Sequence, residues 1–123
     1  MNGAKQESFF RAVMRFSEAL NEPETAMNRD ASIQRFEFSF ELAWKAVQEA
    51  LRDEGADCRS PKSCLREAFR LDWIDDEAHW LAMIDDRNLA SHTYDEKFAK
   101  VLYRRLPDHL ASLEALSARL RER

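Results

Sequence analysis

Apolar side chains recur along this chain with a helical period. Phe9, Val13, Phe16 and Leu20 are spaced by four, three and four residues, and Phe10 and Met14 widen the stripe. The spacing predicts an amphipathic helix over 5–20. Asn21-Glu22-Pro23 stops it, because proline cannot donate the helical hydrogen bond, and a loop then runs to about Arg29. Asp30 is placed to cap a long second helix that reaches about Glu54. One face of that helix carries Ile33, Phe36, Phe40, Ala43, Val47 and Leu51, and a second apolar set is Phe38, Leu42 and Trp44. Together they wrap more than half of the helix, which predicts burial from two sides, by its own bundle and by a second copy of the chain. The remaining row is polar: Gln34, Glu37, Glu41, Lys45 and Gln48. It is either a solvated face or a carboxylate row that holds a cation from another helix.

Gly55 ends the second helix, and Ser60-Pro61 starts a third. Serine satisfies the orphan amides there, and proline needs no amide at the first helical position. This third helix ends near Leu71 and turns Leu65, Ala68, Phe69 and Cys64 inward. Asp75 caps a fourth helix over 76–90, whose apolar side is Ala78, Leu81 and Ile84, or Trp80 and Ile84. Thr93 with Glu96 three residues later has the spacing of a capping box, which predicts a last helix over 95–122. Its stripe is Phe98, Val101, Leu102, Leu106, Leu110, Leu113, Leu116 and Leu120. Pro107 inside this stripe predicts a kink or a division into two segments. Short loops between such segments give an all-α, antiparallel, four- to five-helix up-and-down bundle.

Composition narrows the function classes. The 123 residues hold two glycines and three prolines, and the formal net charge is −4. That charge argues against broad, field-driven nucleic-acid binding but leaves room for a local basic site. Cys58 and Cys64 have neither zinc nor framework spacing, and reduced thiols are expected. No apolar signal segment opens the chain and no run approaches the ~20 apolar residues of a membrane span, so a soluble cytoplasmic protein is expected. No glycine-rich phosphate loop and no zinc-spaced ligand set is present.

The candidate chemistry lies between the last two helices. Arg87-Asn88-Leu89-Ala90-Ser91-His92-Thr93-Tyr94-Asp95-Glu96 gathers an arginine, a histidine and a tyrosine, in a chain with three histidines and two tyrosines. On an unbroken helix Arg87 and His92 would stand about 140° apart, and a helix end between them relaxes that. Arg87 offers a fork of donors suited to a phosphodiester, and His92 can exchange a proton near neutral pH. Together they suit RNA cleavage by internal attack of a ribose 2′-hydroxyl without a metal. The other possibility is structural, with Arg87 bridged to Glu37 or Glu41. His79 and His109 take no part in this constellation.

Taken in order, three stretches resemble a known family. They are Asp30-Ala31-Ser32-Ile33-Gln34-Arg35-Phe36-Glu37-Phe38-Ser39-Phe40-Glu41-Leu42-Ala43-Trp44-Lys45, then Ser60-Pro61-Lys62 with Arg66-Glu67-Ala68-Phe69, then Asp86 to Glu96. The chain resembles the HEPN superfamily over about 6–118, and within it the HepT-like proteins described as nucleotidyltransferase substrate-binding proteins. The resemblance implies one helical domain over 1–123 that forms a homodimer. It also implies a toxin–antitoxin pair with a separately encoded minimal nucleotidyltransferase. The family motif is Arg, four residues, His, any residue, Tyr. Arg87 and His92 match as catalytic residues of an endoribonuclease, and Tyr94 matches the tyrosine that the antitoxin adenylylates. Asn88 would join Tyr94 in RNA binding or modification, with Glu37 and Glu41 in support. The chain itself would need no cofactor, since ATP and magnesium belong to the partner enzyme. The alternative is a non-catalytic substrate-binding subunit of that nucleotidyltransferase.

Overall fold

A computed structural model describes residues 2–123. It is an all-α bundle of five helices: α1 (Ala4–Asn21), α2 (Ala26–Asp53), α3 (Pro61–Arg70), α4 (Glu77–Leu89) and α5 (Glu96–Glu122). A 3₁₀ turn, Ala90–His92, joins the last two. The most extensive pairing is α1 on α2, and α5 packs across both. Phe9, Phe16, Phe36, Phe40, Leu102 and Leu106 are fully buried in the common core. Each of the helices anticipated from apolar spacing is present.

The α1–α2 pair is tied at both ends of α1. Gly3 caps α1 without a side chain. The missing acceptor comes from Glu49 of α2, whose carboxylate accepts from the Lys5 and Gln6 amides at 3.2 and 3.1 Å and from Gln6 Nε2 at 3.0 Å. A negative charge on the first amides of a helix is stabilising. Burial alone would raise the Glu49 pKa, but the Gln6 and Lys5 donors outweigh it and hold it below its ordinary value. At the other end, Asn28 Nδ2 donates to the Ala19 carbonyl at 3.0 Å.

Several boundaries differ from the sequence pattern. Thr25, not Asp30, caps α2, and its hydroxyl accepts from the Asn28 amide at 3.0 Å. The helix therefore starts at Ala26 and contains Arg29, whose guanidinium is held by Glu24 at 3.1 Å. Asp76 rather than Asp75 caps α4, through the His79 amide at 3.0 Å. Asp95 rather than Thr93 caps α5, accepting from the Lys97 and Phe98 amides at 3.1 and 3.2 Å. In each case two capping residues lie near the start in sequence, and the one whose side-chain oxygen reaches the first amides takes the role. Pro107 does not divide α5. It lies exposed, so the acceptor it leaves without a donor is on the solvent side. Phe69 and Val101 are exposed rather than inward, and on α4 it is Trp80 and Met83 that are buried, with Ala78 exposed.

The cysteines also depart from expectation: Cys58 and Cys64 are joined as a disulfide, with Cα atoms 5.1 Å apart. The Ser60-Pro61 start of α3 folds the preceding loop back over its own first turn, which brings the two buried sulfurs together. No helix among the described residues is long and apolar enough to cross a membrane.

Candidate functional site at the α4–α5 junction

The last turn of α4 lies on the polar row of α2. Arg87 is partly buried there, and its Nη2 stands 2.7 Å from Glu41 Oε1. Glu41 is itself well held. Its other oxygen accepts from Trp44 Nε1 at 3.3 Å and lies 4.0 Å from Lys45 Nζ. Glu37, one turn earlier on α2, is half-buried. Burial raises its pKa, and the nearby Arg87 charge partly offsets that. The Arg87 Nε proton is buried and has no acceptor among the described residues. The guanidinium is thus engaged on one side and unspent on the other.

His92 stands on the 3₁₀ turn. The turn is anchored by Ala90, which is buried, while the His92 carbonyl accepts from the Asp95 amide at 3.1 Å. The ring is exposed, and its Nδ1 lies 3.0 Å from the Tyr94 hydroxyl, with the two rings edge to face. Tyr94 is 83% exposed. Asn88 is exposed one position beyond Arg87. The fold therefore pairs His92 with Tyr94 and Arg87 with Glu41. Among the described residues no hydrogen bond links the two pairs. Phosphate-sized anions can approach the exposed imidazole and phenol directly, whereas Arg87 must exchange Glu41 for such an anion.

Behind Arg87 is a buried polar network that the apolar pattern did not lead to. Asp86, 5% exposed, accepts from Arg105 Nη1 at 2.7 Å, and its other oxygen lies 2.8 Å from His109 Nε2. His109, 3% exposed, stacks on Phe36 with ring centres 5.0 Å apart, and its Nδ1 lies 3.2 Å from His79 Nε2. A carboxylate only accepts, so His109 donates from Nε2. Burial lowers the His109 pKa, against the pull of Asp86, and so favours the neutral ring. Neutral His109 then accepts at Nδ1, and His79 donates from Nε2. These bonds fasten α4 to α5 one residue before Arg87 and so fix the direction in which Arg87 leaves the helix. A signal was present in the sequence. His109 continues the stripe Leu102, Leu106, Leu113, Leu116 at spacings of three and four, and Asp86 continues Trp80 and Met83. A polar residue on an apolar stripe of each of two neighbouring helices predicts a buried pair.

A family model described as nucleotidyltransferase substrate binding protein like matches residues 4–122. The chain belongs to this HepT-like, nucleotidyltransferase substrate-binding family. A relative named probable ribonuclease HepT, from Haemophilus influenzae, is 37% identical over 97 residues. The match covers 75% of this chain and 66% of that relative, just short of two thirds of its length. Among solved structures, a protein from Thermus thermophilus is 40% identical with a TM-score of 0.86, covering 92% of this chain and 98% of the other. A Haemophilus influenzae protein, whose structure is described as revealing the fold of a substrate binding domain of a nucleotidyltransferase, is 31% identical with a TM-score of 0.74, covering 96% of this chain and 95% of the other. The HepT-like fold thus spans nearly the whole chain, and the Arg87–Tyr94 segment falls at its α4–α5 junction.

Proposed function

We propose that this HepT-like protein is an endoribonuclease toxin, with Arg87 and His92 as its catalytic residues. The observation that carries the proposal is the junction itself. An exposed histidine paired to an exposed tyrosine follows, by one 3₁₀ turn, an arginine with an unspent donor. Neutral His92 takes the proton of a ribose 2′-hydroxyl, and the 2′-oxygen bonds to the adjacent phosphorus. The bond from phosphorus to the 5′-oxygen breaks, the departing oxygen takes a proton from water, and protonated His92 returns its own to solvent. The products are a 2′,3′-cyclic phosphate and a 5′-hydroxyl. Arg87 leaves Glu41 and stabilises the added charge on the phosphorane oxygens. Asn88 lies beside this path as a further contact for RNA. Glu37 and Glu41 aim Arg87 while the site is empty. The protein acts as a homodimer, which sets two such junctions in one assembly.

A cognate minimal nucleotidyltransferase neutralises it. The Tyr94 hydroxyl attacks the α-phosphorus of ATP on that enzyme, pyrophosphate leaves, and the phenolic proton passes to a base of the partner. High exposure makes Tyr94 accessible to such an enzyme. The adduct would abolish the His92–Tyr94 contact and place a negative phosphate beside the catalytic ring. One observation favours the second reading, a non-catalytic substrate-binding subunit of the nucleotidyltransferase: Glu41 already occupies Arg87 Nη2 at 2.7 Å.

The two readings separate on cleavage of RNA by pure protein. His92→Ala is expected to lower the rate by about 100-fold or more. Equal rates for native and variant would contradict the catalytic role. Incubation with the partner enzyme, ATP and magnesium should add one adenylyl group to native protein and none to Tyr94→Phe, read by intact mass. Adducts on both would move the modification away from Tyr94.

A further inference from the structure

A second feature of the molecule has the chemistry to deliver RNA to this junction. Between α1 and α2 runs a surface groove of about 550 Å³, bordered by Arg11, Arg15, Arg35, Phe38, Glu41 and Leu42. Three features distinguish it. The chain has 23 acidic and 19 basic residues, yet three arginines converge here. Arg15 reaches Glu18 at 3.9 Å, both exposed, whereas Arg11 and Arg35 have no carboxylate within ion-pair distance among the described residues. Phe38 is 49% exposed on the same wall, presenting an aromatic face to solvent where a helix of the core would bury one. Finally, Glu41, which borders the groove, is also the carboxylate that holds Arg87, so the groove and the site share one residue.

The neighbouring grooves have the opposite character. The one beside the 3₁₀ turn, of about 560 Å³, is bordered by Asp30 and Glu37. The one over His79 and His109, of about 400 Å³, is bordered by Asp85, Asp86 and Asp108, with Arg105 already paired to Asp86 at 2.7 Å. Carboxylates outnumber unpaired arginines in both, which disfavours a polyanion. Unpaired arginines interleaved with an exposed aromatic ring are the pattern that binds single-stranded nucleic acid. The charges follow the phosphates and the ring stacks a base. A two-fold contact between copies would instead set these arginines against one another.

We infer that the α1–α2 groove is the track along which single-stranded RNA enters. Phosphates sit on Arg11 and Arg35, a base stacks on Phe38, and the strand's arriving phosphate displaces Glu41 from Arg87. This rests on the ribonuclease function proposed above and adds the route of the substrate. It also accounts for an acidic protein acting on RNA: the binding charge is local.

The test uses a fluorescein-labelled single-stranded oligoribonucleotide of mixed sequence. Titrations are followed by anisotropy at several salt concentrations, in a His92→Ala background so that the RNA stays intact. Arg11→Ala with Arg35→Ala should weaken binding at least tenfold and lower the salt slope by about 1.4, the share of two phosphate contacts on a single strand. Phe38→Ala should weaken it about tenfold with little change in slope. Lys62→Ala with Arg66→Ala on α3 removes the same charge and should leave affinity within twofold. With His92 intact, the double arginine variant should raise KM and leave kcat within twofold. Native protein that cleaves RNA, beside a double variant of native affinity and slope, overturns the track and leaves the ribonuclease standing. Native protein that neither binds nor cleaves overturns the ribonuclease, and the track with it. Sedimentation of the same variants supplies the last outcome. If Phe38→Ala splits a dimer while RNA affinity is unchanged, the groove is an interface between copies and the inference is wrong.

Discussion

His109 illustrates how one side chain serves both stability and the site. It is buried against Phe36, neutral, and donates to Asp86 at 2.8 Å, next to Arg87 in sequence. Because burial lowers its pKa below the ordinary 6.5, the unfolded chain binds this proton more readily than the folded one. The contribution is present above about pH 6.5 and is lost as the pH falls from there toward the lower folded value. Denaturant titrations between pH 5 and 7 should therefore show stability falling on acidification. His109→Gln, which keeps a donor for Asp86, should flatten that slope. An unchanged slope would mean that His109 is not the titrating group. Arg87 presents a different balance at the same scale. Its pair with Glu41 is only partly shielded, so it contributes little to stability and can be exchanged for a phosphate.

At the scale of the helices, α1 depends on α2 for its caps. Glu49→Gln keeps the side chain's shape and removes its charge from the α1 amides, and should cost about 1 kcal/mol, measured by denaturant midpoint at pH 7. The difference between the two proteins should begin to close as the pH falls below the ordinary Glu value of 4.5 and be lost as it passes through the lower folded value, where Glu49 loses its charge. A constant difference would show that charge is not what Glu49 supplies. This cap was not legible in the sequence, because its partners lie more than forty residues apart. What local spacing carries, it carried well: the five helices, the breaks at Pro23 and Gly55, and the start at Ser60-Pro61. Two helix ends show where legibility stops. Gly55, with φ 81°, and Asp72, with φ 61°, both take the left-handed position after a helix. In each, the next amide reaches back, Ala56 to Leu51 and Trp73 to Ala68, at 2.8 Å. Glycine announces that conformation; aspartate does not. The junction was legible as a cluster of residue types, with Glu37 or Glu41 as the partner of Arg87; the choice of Glu41, and its separation from a His92–Tyr94 pair, depends on how α4 lies across α2. The disulfide was hidden for a local reason: it depends on the turn at Ser60-Pro61 and not on a recognised cysteine spacing.

Over the whole molecule the parts divide by role. The core of α1, α2 and α5 fixes the frame, and the Asp86–His109–Arg105 bonds lock α4 to it. The turn beyond α4 carries the exposed groups. The surface charge follows that plan, with arginines along the α1–α2 groove and mostly carboxylates along the grooves by the 3₁₀ turn and over His79. The central claim is that Arg87 and His92 cleave RNA by internal attack of the 2′-hydroxyl. The most direct measurement is the chemistry of the ends produced from a defined oligoribonucleotide in EDTA, by native protein and by Arg87→Ala and His92→Ala. Native protein should leave 2′,3′-cyclic phosphate and 5′-hydroxyl ends, a substrate with 2′-deoxyribose at the cut should resist, and both variants should cut at least about 100-fold more slowly. Ends bearing a 5′-phosphate, cleavage of the deoxy substrate, or undiminished cutting by either variant would contradict it.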